Sequence, residues 1–548
     1  MSTIDSHASS APASSGAGFA CIADWVGTTD HKRLGRLYLG ASAVLFVTSA
    51  VAAILLGVER ISPTKEWLDV GSLTQLFAFE RFGFTYLVLL PLLVGAAIAV
   101  VPLQVGARAL ALPRLAAAGF WLWLIGAGLA VFALINNGGP NGGNPRFVDL
   151  FILSAVLVLV GLLASAGSVA TTILTTRAPG MNMRRVPYFT WSVLVASLCL
   201  VIALPVLTGD LLYLYAAHHY PSLGELAGNR ALAQWAGFGF TQPTTLVLAI
   251  PALGLLADTA ATASGERLRP RGPILLAIAL GGVAVFGSVL QTSPGLDAGV
   301  FHIAVSDLIK QLIPFGIVQG LPVIGIFAVF AFSVQGLGRR PKVTAPLVFG
   351  LFSVLLLLEA ATANLVAHIG DAQLAGTTFE EGAWLLVVLA GVVAAAGAVA
   401  YWGPKWWGRT LPDKPALGLA LVLFGGAQLA ALPLLIAGFA DQIGGVFPAI
   451  EPGNAASAVN FSYSGPMELW NSLSAVGLGL TLVAVLAFLA LAVRSFLTGA
   501  AAGDDPWNGQ TLEWATTSPA PADNFAAVHI VKSAEPLLDL KPSTRSDA

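Results

Sequence analysis

Runs of apolar residues about twenty long, broken by short polar loops, recur along the whole chain. A helix needs roughly that length to cross the hydrocarbon core of a bilayer. The pattern predicts about twelve such helices, near residues 37–58, 84–106, 118–136, 149–176, 187–215, 243–264, 273–293, 311–337, 344–368, 382–402, 416–440 and 470–498. Gly and Pro are frequent inside them, which membrane helices tolerate because neighbours satisfy the freed backbone groups. No internal repeat is evident. The predicted organisation is a disordered extension over residues 1–30, a twelve-helix all-α membrane domain over 31–498, and a tail over 499–548.

Composition agrees with this pattern. Of 548 residues, 56% are hydrophobic and 10% charged, far below the roughly 25% charged of a soluble domain. A net charge of −2 and the lack of a Lys/Arg cluster exclude nucleic acid as a partner. The partner this leaves in view is the lipid bilayer itself. Cys21 and Cys199 form neither a disulfide framework nor a metal-ligand spacing. Charge orients the chain. With the N-terminus inside, seventeen Lys and Arg fall in inner loops and six in outer ones. By the positive-inside rule both termini are cytoplasmic, and a bacterial plasma membrane is the expected location.

Four stretches carry more than pattern. They are Thr28-Thr29-Asp30-His31-Lys32-Arg33-Leu34-Gly35, Val101-Pro102-Leu103-Gln104-Val105-Gly106-Ala107, Leu112-Pro113-Arg114-Leu115, and Asp505-Pro506-Trp507-Asn508-Gly509-Gln510-Thr511-Leu512-Glu513-Trp514 running on to Asn524-Phe525. The chain resembles subunit I of the haem-copper oxidases, cytochrome c oxidase subunit I among them, over nearly its whole length. The resemblance implies that family's twelve-helix bundle, two haems, copper, and a place among other subunits of a respiratory complex.

Such a centre needs six neutral imidazoles at fixed depths. The seven histidines here, His7, His31, His218, His219, His302, His368 and His529, miss every position the resemblance assigns to a ligand. In the second span the ligand position is Glu80, read as an outer-interface residue paired with adjacent Arg81. The sixth span opens Gln242-Pro243-Thr244 where the family has His-Pro-Glu. Gln242 replaces the copper His, Thr244 the proton-passing Glu, and Leu246 the Tyr linked to the His. The paired His of the seventh span fall on Val289 and Leu290, counted back from Gly295-Leu296-Asp297. Those of the tenth fall on Ala383 and Leu385, counted on from Asp371. The proton pathways are replaced as well, at Ala109, Phe315 and Val318. An amide or an alkyl group is no substitute for imidazole on copper or iron. No haem, copper or other metal is therefore expected.

Ionisable groups at membrane depth are candidates for function because each is costly there. Glu359, with Thr362, Asn364 and His368 further along the ninth span, is the candidate intramembrane polar site; the ordinary alternative is a carboxyl bonded within the bundle. Asp258 reads as an anchor near the Arg267, Arg269 and Arg271 cluster, and Asp307 with Lys310 as a local ion pair. His218-His219 reads as a surface pair, with a metal site as the rarer alternative. Three functions stay open. One is a catalytically degenerate structural or assembly subunit of a membrane complex. The second is an active terminal oxidase passing electrons from cytochrome c or quinol to oxygen. The third binds or transports a lipid, quinone or small solute through vacated cavities.

Overall fold

A computed structural model gives the fold and describes residues 23–61, 68, 70–140, 142–220, 244–290, 294–299, 302–338, 340–444, 466–527 and 529–540. Among the described residues, twelve helices are long and apolar enough to cross a membrane. They are α1 (His31–Ile61), α2 (Ser72–Val105), α3 (Pro113–Ile135), α4 (Pro145–Thr175), α5 (Tyr188–His219), α6 (Leu246–Ser264), α7 (Arg271–Val289), α8 (Val305–Gly336), α9 (Ala345–Ala367), α10 (Thr378–Trp407), α11 (Asp413–Phe439) and α12 (Met467–Thr498). They answer the twelve predicted runs one for one. An even number of crossings returns the chain to the face from which it started. The described part of the tail packs on that face, here called the tail face.

Burial divides the helices into two sets. The apolar stretch of α2 is entirely buried and those of α6 and α10 are 94% buried, whereas the other nine range from 33% to 61%. Every fourth helix is thus interior, and the outer helices present their remaining apolar surface to lipid. Exposed Leu, Ile, Val and Phe on α3, α7, α8 and α12 fit that setting. Small residues let backbones approach closely. A Cβ on Gly35 of α1 would lie 2.6 Å from Ala99 Cβ of α2, and one on Gly95 of α2 would lie 2.6 Å from Tyr38 Cβ.

Proline sets the local irregularities. The π-helical turns Gly83–Leu89 in α2 and Gly316–Gly320 in α8 end just before Pro91 and Pro322. A proline ring lacks the N–H and crowds the carbonyl four residues back, so a widened turn relieves the ladder there. Pro251 in α6 is accommodated the other way, by a tightened turn. Ahead of it, Ala249 N–H bonds Leu246 O at 3.2 Å and Ile250 N–H bonds Val247 O at 3.4 Å, both three residues back.

Two features depart from the predicted outline. The α3–α4 loop holds a two-residue hairpin, β1 (Gly138–Gly139) against β2 (Gly142–Gly143), which Gln75 of α2 holds through Asn137 Oδ1 and Gly142 O. Residues 23–26 form a helical turn. Residues 23–30, expected within a disordered extension, are instead placed against the bundle: Trp25 lies under the Arg36 guanidinium and Val26 O accepts from Trp121 Nε1. Residues 1–22, His7 included, lie outside the described residues.

Candidate functional site

The expected ligand positions fall mainly on the interior helices. Glu80 of α2 and Leu385 of α10 line the same cavity of about 10 Å3. Charged side chains border it or lie close by. Arg60, at the end of α1, places Nη2 2.6 Å from Glu381 Oε2 of α10, and Arg81 Nη2 lies 3.7 Å from the same oxygen. Arg81 also stacks over the Trp384 ring at 4.2 Å. Asn471 and Ser474 of α12 complete the wall.

The pairing of Glu80 with Arg81 expected from adjacency is corrected here. Neighbouring residues point about 100° apart on a helix, and the arginine turns to Glu381 on α10 instead. Glu80 is 4% exposed, sits beside both arginines and Glu381, and its Oε2 has no hydrogen-bond partner. Sequence reasoning missed Arg60 and Glu381. The available signal was depth, since Arg60, Glu80, Arg81 and Glu381 all fall at the same end of predicted spans.

The remaining positions are apolar. Ala383 and Leu385 are each 2% exposed, with Ala383 in a cluster with Ala363, Ala367 and Phe379. Leu246 and Val318 are buried, and Phe315 packs on Leu296. Val289 is 40% exposed on α7. Ala109 is an exposed loop residue. Gln242 lies outside the described residues, as do the side chains of Thr244 and Leu290. The described positions offer alkyl groups and one carboxylate beside an ionic cluster, a donor set that does not suit a haem iron.

The ninth-span group is also corrected, because the four residues do not form one site. Glu359 accepts from Gln428 Nε2 of α11 at 2.7 and 2.9 Å. Asn364, five residues on and so on another face, donates to Gln319 Oε1 of α8 at 3.0 Å. Exposed Thr362 bonds back to Leu358 O, and His368 Nδ1 meets Asn364 O at 2.7 Å. His368 O accepts from Leu296 N, tying the Gly295-Leu296-Asp297 motif to the loop before α10. Lys310 bonds Asp307 at 2.8 Å as predicted.

Three of the four sequence motifs converge on the tail face. Asn524, fully buried, contacts His31 Nε2 at 3.0 Å, accepts from Lys32 Nζ at 3.0 Å and donates to Ala107 O at 2.8 Å. Gln104 donates at 3.0 Å to both Asp258 Oδ2 and Glu513 Oε1, and accepts from Thr190 at 2.7 Å, so both amide donors and the carbonyl oxygen are engaged. Asp258 is not the predicted anchor for the arginines. Its carboxylate accepts the Tyr188 and Phe189 N–H groups at 3.0 and 3.1 Å, satisfying two orphan donors at the start of α5. Arg267 and Arg271 pair with Glu535 and Asp539 of the tail instead. Burial holds the Glu513 carboxyl above the usual carboxylate range, against hydrogen bonds from Gln104, Thr511 and Trp402 that favour the charged form.

Comparison with known proteins decides the family. Residues 33–480 match the family described as Cytochrome C and Quinol oxidase polypeptide I. The chain belongs to that family. It is 26% identical over 534 residues to the cytochrome c oxidase subunit 1 of Bacillus subtilis, covering 94% of this chain and 82% of that one. It is 28% identical over 545 residues to the heme-copper oxidase subunit I+III of Aeropyrum pernix, covering 94% of this chain and 62% of that longer one. Among solved structures, a heme-copper terminal oxidase dimer superposes with a TM-score of 0.63 at 14% identity, covering 86% of this chain and 84% of that one. The twelve-helix bundle is thus the fold of the oxidase polypeptide I family, in an integral membrane protein.

Proposed function

We propose that this member of the oxidase polypeptide I family is catalytically degenerate and serves as a structural or assembly subunit of a respiratory-type complex in the plasma membrane. The observation that carries this reading is the Arg60–Glu381–Arg81 cluster beside Glu80. A buried ionic cluster next to an expected ligand position supports the loss of haem binding there. The motifs that remain family-like are those that dock the tail, a surface with no part in metal chemistry. In this reading residues 31–498 form the scaffold and 499–548 a cytoplasmic cap, with both termini inside.

The test is spectroscopic. Protein purified from haem-replete cells is expected to show no Soret band and no haem in a solvent extract. One haem per chain would restore the active-oxidase reading, the alternative that relatives named as oxidases support. Crosslinking in native membranes would then identify a stable partner if the assembly role holds. A second reading rests on an apolar cleft of about 440 Å3 between α1, α10 and α12, bordered by Arg36, Trp406 and Trp407 at the tail face. Native mass spectrometry that finds a retained lipid or quinone, and no protein partner, would favour that reading.

A further inference from the structure

At the face opposite the tail, α4 begins where α5 ends, and three side chains converge there. His218 Nδ1 lies 2.8 Å from Asp149 Oδ1, and His219 Nε2 lies 3.1 Å from Asp149 Oδ2. One ligand atom from each of the three residues falls within 4.8 Å of the others. Both imidazoles thus address one carboxylate, each through a different ring nitrogen. Asp149 stands in the second turn of α4, and the histidines are the last two residues of α5. An acid near a helix start and bases at a helix end each suit the local dipole, which holds the group together without an ion.

We infer that Asp149, His218 and His219 form a divalent transition-metal site of the zinc class. Two imidazoles and one carboxylate are a borderline-soft donor set that favours zinc, nickel or copper over magnesium and calcium, which take oxygen ligands. Tetrahedral zinc with bonds near 2.1 Å places its ligand atoms about 3.4 Å apart. The two imidazole–carboxylate separations, 2.8 and 3.1 Å to different oxygens of Asp149, are shorter than that figure and the three ligand atoms fall within 4.8 Å of one another, so side-chain rotations would open the group around an ion. The side chains of His218 and His219 are 36% and 44% exposed, leaving a side open for a water as fourth ligand. The Tyr215 ring packs on His219 at 4.7 Å and limits its rotation. Binding crosslinks the start of α4 to the end of α5. None of these residues belongs to the former ligand positions, so the inference stands apart from the proposed function.

The test titrates untagged, chelator-stripped protein in nanodiscs with Zn2+ against a competing chelator, and with Co2+ followed by its visible ligand-field bands. One equivalent is expected, with Mg2+ unable to displace it. His218→Gln/His219→Gln, which keeps polar groups at the exposed helix end, is expected to weaken binding at least ~10-fold. In the unmodified protein, Zn2+ is expected to protect His218 and His219 from diethylpyrocarbonate, read by peptide mass spectrometry. Equal uptake by parent and variant, no uptake, or unprotected histidines at saturating Zn2+ would each overturn the assignment.

Discussion

Replacing Glu381 by Gln tests the ionic cluster directly. The substitution keeps the shape and removes the charge that faces Arg60 at 2.6 Å and Arg81 at 3.7 Å. The Arg60 and Glu381 side chains are 10% and 3% exposed, so water is not available to take over the lost interaction. Breaking a buried pair in this way costs about 3–5 kcal/mol, because a desolvated charge is left behind. For a chain of this length that corresponds to a melting shift of roughly 3–4 °C. Cys199 on α5, 7% exposed, provides the probe: a thiol-reactive dye in a Cys21→Ser background reports unfolding as the thiol becomes accessible. Replacing the whole cluster, R60M/E80L/R81M/E381L, is expected to recover most of the loss, since an apolar core avoids the desolvation cost. If E381Q melts within about 1 °C of its parent, the cluster is not a desolvated ionic core and the case for degenerate chemistry loses its main support.

Three further outcomes are expected. Asn524→Ala removes the latch among His31, Lys32 and Ala107; it should cost about 2–3 kcal/mol, by stranding buried polar groups, and expose residues 505–525 to limited proteolysis. Because burial raises the folded-state carboxyl of Glu513 above its unfolded value near 4.5, its stabilising neutral form is fully present below that pH and is lost as pH rises through the folded value. Amide exchange across the tail should therefore quicken with rising pH by more than the intrinsic rate does, and Glu513→Gln should flatten that excess. Finally, E80H/L385H places two imidazoles across a cavity of about 10 Å3 and should still give no low-spin haem spectrum, whereas a bis-histidine Soret band would show that the cluster yields to a porphyrin.

The bundle was legible because hydrophobic length alone specifies a spanning helix, and the twelve predicted runs all form. The tail was legible as a motif, though not as a plug: nothing local in Asp505–Trp514 says that Glu513 meets Gln104 and Trp402. The candidate site was legible to the extent that Glu80 and Leu385 border one cavity. Its contents were not. Glu381 reads in one dimension as an interfacial residue before an apolar run, and Arg60 as a loop cation. The Glu359 group was misread because residues close in sequence on one helix bond in different directions.

The sequence by itself determined that the chain lives in a bilayer, how many times it crosses, and which donors are missing from the expected ligand positions, because each depends on residue type and spacing along one helix. Tertiary structure decided which polar residues meet. α2, α6 and α10 are buried almost throughout, and charges on separate helices can offset their desolvation only by finding one another at a shared depth, as Arg60, Arg81 and Glu381 do. That choice of partner is a property of packing, and no single stretch of sequence encodes it.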